Sequence, residues 1–126
     1  MKYDVIIIGG GQAGLSMGYY LKKSNLSYLI LDELSEIGEV WKNRYDSLQL
    51  FTPSYFSSLP GFNLDSDSYP TKDDVADYLK QYVNRFSLPL QMNTKVNRLF
   101  LINGEFVIET NQCSIKANNV VVATGP

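Results

Sequence analysis

This chain of 126 residues predicts an α/β fold, a parallel sheet raised on a βαβ unit with a small antiparallel β-meander set into it. Three observations carry that prediction. Four apolar residues, Val5 to Ile8, run straight into a glycine turn, Gly9-Gly10-Gly11, and a helical pattern follows. A second apolar strand then arrives within about thirty residues, the length of a βαβ unit. Near the other end, three short strand-like segments with hairpin signals precede a last apolar run, Val120 to Ala123.

Tyr3 to Ile8 reads as a buried parallel strand, short, β-branched and apolar on both faces. Gln12 to Lys23 reads as a helix. Gly14 and Gly18 lie on the face that presses on the sheet, and Ala13, Met17 and Leu21 repeat at the same spacing. Asn25 is the expected terminator. Tyr28 to Leu31 is the second strand and ends in Asp32-Glu33. Gly38 to Tyr69 has no sustained period, yet it carries Trp41, Tyr45, Phe51, Tyr55, Phe56, Phe62 and Tyr69. So long an irregular stretch is usually functional or disordered, and its aromatic content argues against disorder. Thr71 and Asp74 then fit a capping box. Val75, Tyr78, Leu79, Tyr82, Val83 and Phe86 mark the apolar face of the helix that follows. Thr94 to Ile102, Glu105 to Thr110 and Cys113 to Ala117 read as three short strands. Asn103-Gly104 is a strong hairpin turn between the first two, and Asn111-Gln112 a weaker one between the next pair. Val120 to Ala123 reads as one more buried strand.

Composition narrows the chemistry. The apolar fraction of 44% and charged fraction of 19% are those of an ordinary globular domain. With a net charge of −2 and no basic cluster longer than Lys22-Lys23, nucleic acid is not an expected partner. The aliphatic runs are far too short to span a bilayer, and Asp4 leaves no room for a signal peptide, so no membrane association and a cytoplasmic location are expected. The chain has no histidine, which excludes His-based catalysis and His metal sites from it. Its one cysteine, Cys113, rules out an internal disulfide or a dithiol pair. No catalytic residue and no metal ligand set can be named.

The spacing Gly9-x-Gly11-x-x-Gly14 fits a dinucleotide-binding fingerprint, in which each glycine has its own task. Gly9 permits the tight turn, Gly11 lets backbone approach a diphosphate, and Gly14 permits close packing of helix on strand. The helix amino terminus, with Gln12 and Ala13 in its first turn, offers free N–H groups and partial positive charge to the anion. Asp32 stands 23 positions after Gly9, near the usual spacing for a carboxylate that accepts hydrogen bonds from a ribose; Glu33 is the fallback. An acid there would repel a ribose 2′-phosphate. NADP is therefore disfavoured at this turn, which leaves NAD against FAD.

The order of elements resembles the FAD-binding half of the two-dinucleotide-domain flavoproteins, the pyridine nucleotide-disulfide oxidoreductase superfamily that includes glutathione reductase. Within it, IGEVWKNRYDSLQLFTPSYFSSLPG, YPTKDDVADYLKQYVNRF and the terminal VVVATGP look like the flavin-dependent monooxygenases of the flavin-containing type and their bacterial relatives. The resemblance implies a Rossmann-like FAD-binding domain over residues 1–126, incomplete at its carboxyl end. It implies that Gly9, Gly11 and Gly14 cradle the FAD diphosphate and that Asp32 holds the adenosine ribose. Gly38, Trp41 and Arg44 would lie near the ribityl-diphosphate region, with Asp46, Ser47 and Leu48 leading towards the isoalloxazine. Val96 would offer backbone groups to the adenine, and Ala123 and Gly125 would pass the cofactor where the chain leaves the domain. Tyr78, Leu79 and Tyr82 are expected in the core.

Such enzymes reduce the flavin with NADPH and oxygenate a small organic substrate through a flavin hydroperoxide. The NAD(P)H-binding domain, with a second glycine fingerprint, is absent from these residues. The chain is therefore expected to be an amino-terminal fragment or truncated protein, inactive alone. It is also expected to self-associate through a sheet edge or apolar face left open near Val5 to Ile8 or Val120 to Ala123. Two other readings stay open. One is a non-oxygenating NAD(P)H-dependent flavoprotein without a redox disulfide, since no Cys follows the second strand. The other is a non-catalytic dinucleotide-binding module. The substrate is not legible.

Overall fold

The computed structural model describes residues 1–39, 58–62 and 71–124. Most of the aromatic stretch between Gly38 and Tyr69 lies outside the described residues. The elements are β1 (Lys2–Ile8), α1 (Gln12–Lys22), β2 (Tyr28–Leu31), α2 (Lys72–Phe86), β3 (Leu90–Gln91), β4 (Val96–Ile102), β5 (Glu105–Thr110) and β6 (Ser114–Val122). Six strands form one sheet in the order β3-β2-β1-β6-β5-β4, parallel from β3 to β6 and antiparallel from β6 to β4. The βαβ unit and the meander both stand as expected.

β1 is apolar throughout its carboxyl half because it is covered on both faces. Val5 and Ile7 join Leu15, Ile30, Val75, Tyr78, Leu79 and Tyr82 on the side of the helices. Ile6 joins Leu29, Leu31, Ile108, Ile115 and Ala117 on the other side. Each such aliphatic side chain removed from water contributes roughly 1.5–3 kcal/mol before chain entropy is counted. The capping box of α2 is present: Thr71 Oγ1 accepts from the Asp74 N–H at 3.2 Å, and Asp74 Oδ2 accepts from the Thr71 N–H at 2.9 Å.

Tyr78, Leu79 and Tyr82 are buried as expected, and the two tyrosines do more than fill space. Tyr78 Oη accepts from the Leu59 N–H at 2.7 Å and donates to Phe62 O, and Tyr82 Oη donates to Pro60 O. They thus pin the turn at Leu59–Phe62 to the helix. Burial pushes both hydroxyls above the ordinary tyrosine value, so they remain donors throughout the physiological range.

Several expectations are corrected. The expected strands Cys113–Ala117 and Val120–Ala123 merge into a single strand, β6, over Ser114–Val122, because β1 pairs along it from Lys2↔Lys116 to Ile8↔Val122. Asn118 and Asn119, which read as a break, instead tie β6 to Asp4, with Asn119 Nδ2 donating to Asp4 O at 3.2 Å. The end of β6 is not buried: Val122 is 65% exposed. Nor does β1 offer an open edge, since β2 and β6 flank it; among the described residues the sheet's edge strands are β3 and β4. On α1 the buried residues are Gly14, Leu15 and Gly18, while Ala13 and Met17 are exposed. That helix stops at Lys22, before Asn25, with the Ser24 N–H and hydroxyl both on Leu21 O. β3 was illegible, being two residues long.

Candidate functional site

Because β1, β2 and β6 are parallel and in register, their carboxyl ends meet where Ile8 pairs with both Leu31 and Val122. A cleft of about 770 Å³ opens there, between the glycine turn, the residues after β2, the start of β4 and the end of β6. Its size is that of a small-molecule or cofactor site, and its place is the usual one in a parallel α/β sheet.

The three fingerprint glycines are needed for three different reasons. Gly9 has φ +116°, and a Cβ on it would stand 2.4 Å from Ala123 O, so it lets the chain turn under the end of β6. Its N–H donates to Leu31 O at 2.7 Å, and the Ala123 N–H donates to Ile8 O at 2.8 Å, which locks the three strand ends together. Gly14 does not line the cleft. It is buried beneath the turn, where a Cβ would fall 1.8 Å from Gly9 O. Gly11 differs from both. Its backbone is extended, with φ −84° and ψ −163°, and among the described residues beyond its chain neighbours a Cβ on it would meet no atom within 4 Å. Nothing among the described residues requires glycine at this position, and the space above it opens into the cleft.

Gly11 is also the N-cap of α1. The helix has no side-chain cap and no acidic residue in its first turn, and its first bond runs from the Leu15 N–H to Gly11 O at 2.9 Å. The N–H groups of Gln12 and Ala13, both at the cleft, therefore precede the hydrogen-bonded part of the helix and leave its positive end unneutralised. An anion there needs no side chain to hold it.

Asp32 is fixed at both carboxylate oxygens. Oδ2 accepts from the Gly10 N–H at 2.7 Å and Oδ1 from the Leu34 N–H at 2.9 Å. Each oxygen keeps a further lone-pair direction for a ligand hydroxyl. Its backbone is held as well, the N–H donating to Gln91 O at 3.1 Å and the carbonyl accepting from the Thr94 N–H at 2.8 Å. Half-buried Asp32 is thus a rigid acceptor, whereas Glu33 is exposed at the cleft margin.

The cleft brings together Gly9, Gly11, Gln12, Ala13, Asp32, Glu33, Gly38, Val96 and Ala123 from among the residues named from sequence. Gly38 lines it, yet its φ of +85° and the 2.9 Å that a Cβ would leave to Ala76 Cα show that glycine is required there by packing on α2. Trp41, Arg44, Asp46, Ser47, Leu48 and Gly125 lie outside the described residues. Sequence reasoning missed Gly10, Leu34, Thr94, Lys95 and Thr124 as cleft residues. Gly10 had a signal, since it sits inside the fingerprint. Thr94 had none, being read as strand; it is buried in the loop before β4, with Oγ1 donating to Met92 O at 3.0 Å. The cleft offers N–H donors, one oriented carboxylate and apolar strand ends, which is equipment for binding.

A family model described as pyridine nucleotide-disulphide oxidoreductase matches residues 6–126. The chain is 51% identical over 126 residues to the uncharacterized oxidoreductase CzcO of Bacillus velezensis, a match covering 98% of this chain and 36% of that protein. Among solved structures, a flavin-containing monooxygenase from Stenotrophomonas maltophilia is 36% identical with a TM-score of 0.92, over 98% of this chain and 38% of that one. The bacillithiol disulfide reductase Bdr of Staphylococcus aureus is 25% identical with a TM-score of 0.93, over 99% of this chain and 39% of that one. The chain thus spans little more than a third of the length of these relatives. No described helix is long and apolar enough to cross a membrane.

Proposed function

The chain belongs to the pyridine nucleotide-disulphide oxidoreductase family, and on that premise we propose that it is the FAD-binding portion of a flavin-dependent, NADPH-consuming monooxygenase acting in the cytoplasm on a small organic substrate. The observation that carries the FAD assignment is the space that the described residues leave open over Gly11. None of them makes use of that glycine, whereas a diphosphate lying against the turn requires it. The uncapped α1 terminus supplies N–H donors for the phosphates, and the held Asp32 carboxylate supplies the acceptor for a ribose. The residues present therefore fit the group.

In this reading the backbone of Gly11, Gln12 and Ala13 binds the diphosphate. Asp32 accepts from the adenosine ribose hydroxyls, and Val96 borders the adenine. Ala123 closes the cleft beneath the cofactor. FAD supplies the hydride acceptance and oxygen chemistry when bound; the chain's own part is to orient it and shield it from water. The likeness to the Stenotrophomonas monooxygenase supports the oxygenating assignment. The likeness to the bacillithiol disulfide reductase favours a second reading, a flavoprotein that passes electrons without oxygenating. In that case electrons would leave without a dithiol in this chain, since Cys113 is its one cysteine.

The first test is the absorbance spectrum of the purified chain titrated with FAD, where a saturable shift of the flavin bands is expected. In a full-length relative, oxygen uptake matched by oxygenated product supports the first reading. NADPH oxidation matched by thiol production supports the second.

A further inference from the structure

We infer that Asn111 and Gln112, on the turn between β5 and β6, are positioning residues for the adenosine end of the cleft. The inference rests on the FAD reading above. Neither residue lines the cleft, and both are exposed. Their side chains grip the loop that does line it. Asn111 Nδ2 donates to Asn93 O at 3.1 Å, while its Oδ1 accepts from the Lys95 N–H at 2.9 Å. The Asn111 N–H donates to Lys95 O at 3.1 Å. Gln112 Nε2 donates to Asn93 O at 2.6 Å.

That loop is the second support of the ribose acceptor. The Asn93 N–H donates to Leu34 O and the Thr94 N–H to Asp32 O, each at 2.8 Å. The Leu34 N–H in turn holds Asp32 Oδ1 at 2.9 Å. A continuous chain of hydrogen bonds therefore runs from the two exposed amides, through Asn93 to Lys95, to both the backbone and the carboxylate of Asp32. Asn93 itself sits at φ +53°, the left-handed region that asparagine adopts more readily than most residues, so the grip bears on where the loop lies. An amide that gives both its donor and its acceptor to one loop sets the loop's position and not merely its attachment.

A turn serving only its own stability would alter melting and leave ligand choice untouched. Positioning alters the choice, because Asp32 discriminates by reaching ribose hydroxyls. The test compares ADP with 2′-deoxy-ADP by titration calorimetry on the 126-residue chain. The wild type should prefer ADP, and Asn111→Ala should weaken ADP by about fivefold, one ordinary hydrogen bond's net contribution. The preference over 2′-deoxy-ADP should shrink towards one. Because a ratio of affinities is insensitive to the fraction of folded protein, partial unfolding cannot imitate this result. Gln112→Ala leaves the turn backbone intact and should shift the ratio in the same direction by less. An unchanged ratio in both variants, with the wild type still preferring ADP, overturns the positioning role alone. A wild type indifferent to the 2′-hydroxyl, or blind to ADP, overturns the role together with the placement of ribose on Asp32.

Discussion

Replacing Gly11 with valine separates a glycine kept for a ligand from glycines kept for the fold. Its Cβ would enter space where no atom of the described residues beyond its chain neighbours lies within 4 Å, on a backbone at φ −84° that valine adopts without strain. The folding cost is confined to the loss of glycine's modest preference at an N-cap, under about 1 kcal/mol, and is offset by the stiffer unfolded chain. For a domain of this size that corresponds to a shift in melting of no more than roughly 3–5 °C. Binding should suffer far more. A branched side chain over the turn holds the phosphates away from the N–H groups at the start of α1. Losing two charge-assisted bonds at about 1.5 kcal/mol each weakens FAD at least 100-fold. Gly14→Ala is the contrasting control, since its Cβ would stand 1.8 Å from Gly9 O and the helix must move off the strand. It should cost roughly 1–3 kcal/mol or more of stability. The assay is flavin fluorescence titration alongside thermal denaturation. A Gly11→Val chain that melts normally and binds FAD within threefold of wild type would show that the diphosphate does not lie on this turn.

Asp32→Ala should weaken FAD by about one to two orders of magnitude, the worth of charge-assisted contacts to ribose hydroxyls, and a larger loss in Glu33→Ala would mean that the ribose sits on the other acid. The 126 residues hold one glycine fingerprint, so the chain mixed with excess FAD should oxidise NADPH no faster than free flavin; a clear protein-dependent rate would make it a self-sufficient enzyme. Glu105 accepts from Lys2 Nζ at 2.6 Å, and that contact, with Lys116 nearby, holds its carboxyl below the ordinary glutamate value. Its contribution is therefore present above the unfolded value and lost as pH falls through the folded one. The melting difference between wild type and Glu105→Gln should accordingly vanish in acid, and a difference that grows there would contradict the pairing.

What could be read from the sequence was what a local pattern encodes. Val5 to Ile8 and Tyr28 to Leu31 announced themselves because parallel strands covered on both faces are apolar at every position, and α2 because its buried residues repeat at helical spacing between a capping box and Pro89. The errors arose where a distant partner decides the local state. Asn118-Asn119 breaks an apolar pattern, yet β1 pairs straight across it, so two predicted strands are one. Likewise a two-residue strand such as β3 exists only because β2 lies beside it. The site divides along the same line. Gly14 could be placed from spacing because the contact that demands glycine there, Gly9 O, lies within the same βα turn, whereas Gly9 was placed by its spacing although the atom that demands it, Ala123 O, lies at the end of β6. The grip of Asn111 on Lys95 joins residues 16 apart, one in the turn after β5 and one in the loop before β4, and exposed amides carry no periodicity to betray it. Gly38 shows the converse hazard. It lines the cleft, but its glycine answers to Ala76, so position in a cleft does not by itself make a residue a ligand contact. The discriminating question for each glycine is which atom its missing Cβ would strike. In the fingerprint, Gly11 is where the described residues give no answer, and the proposed diphosphate would supply one.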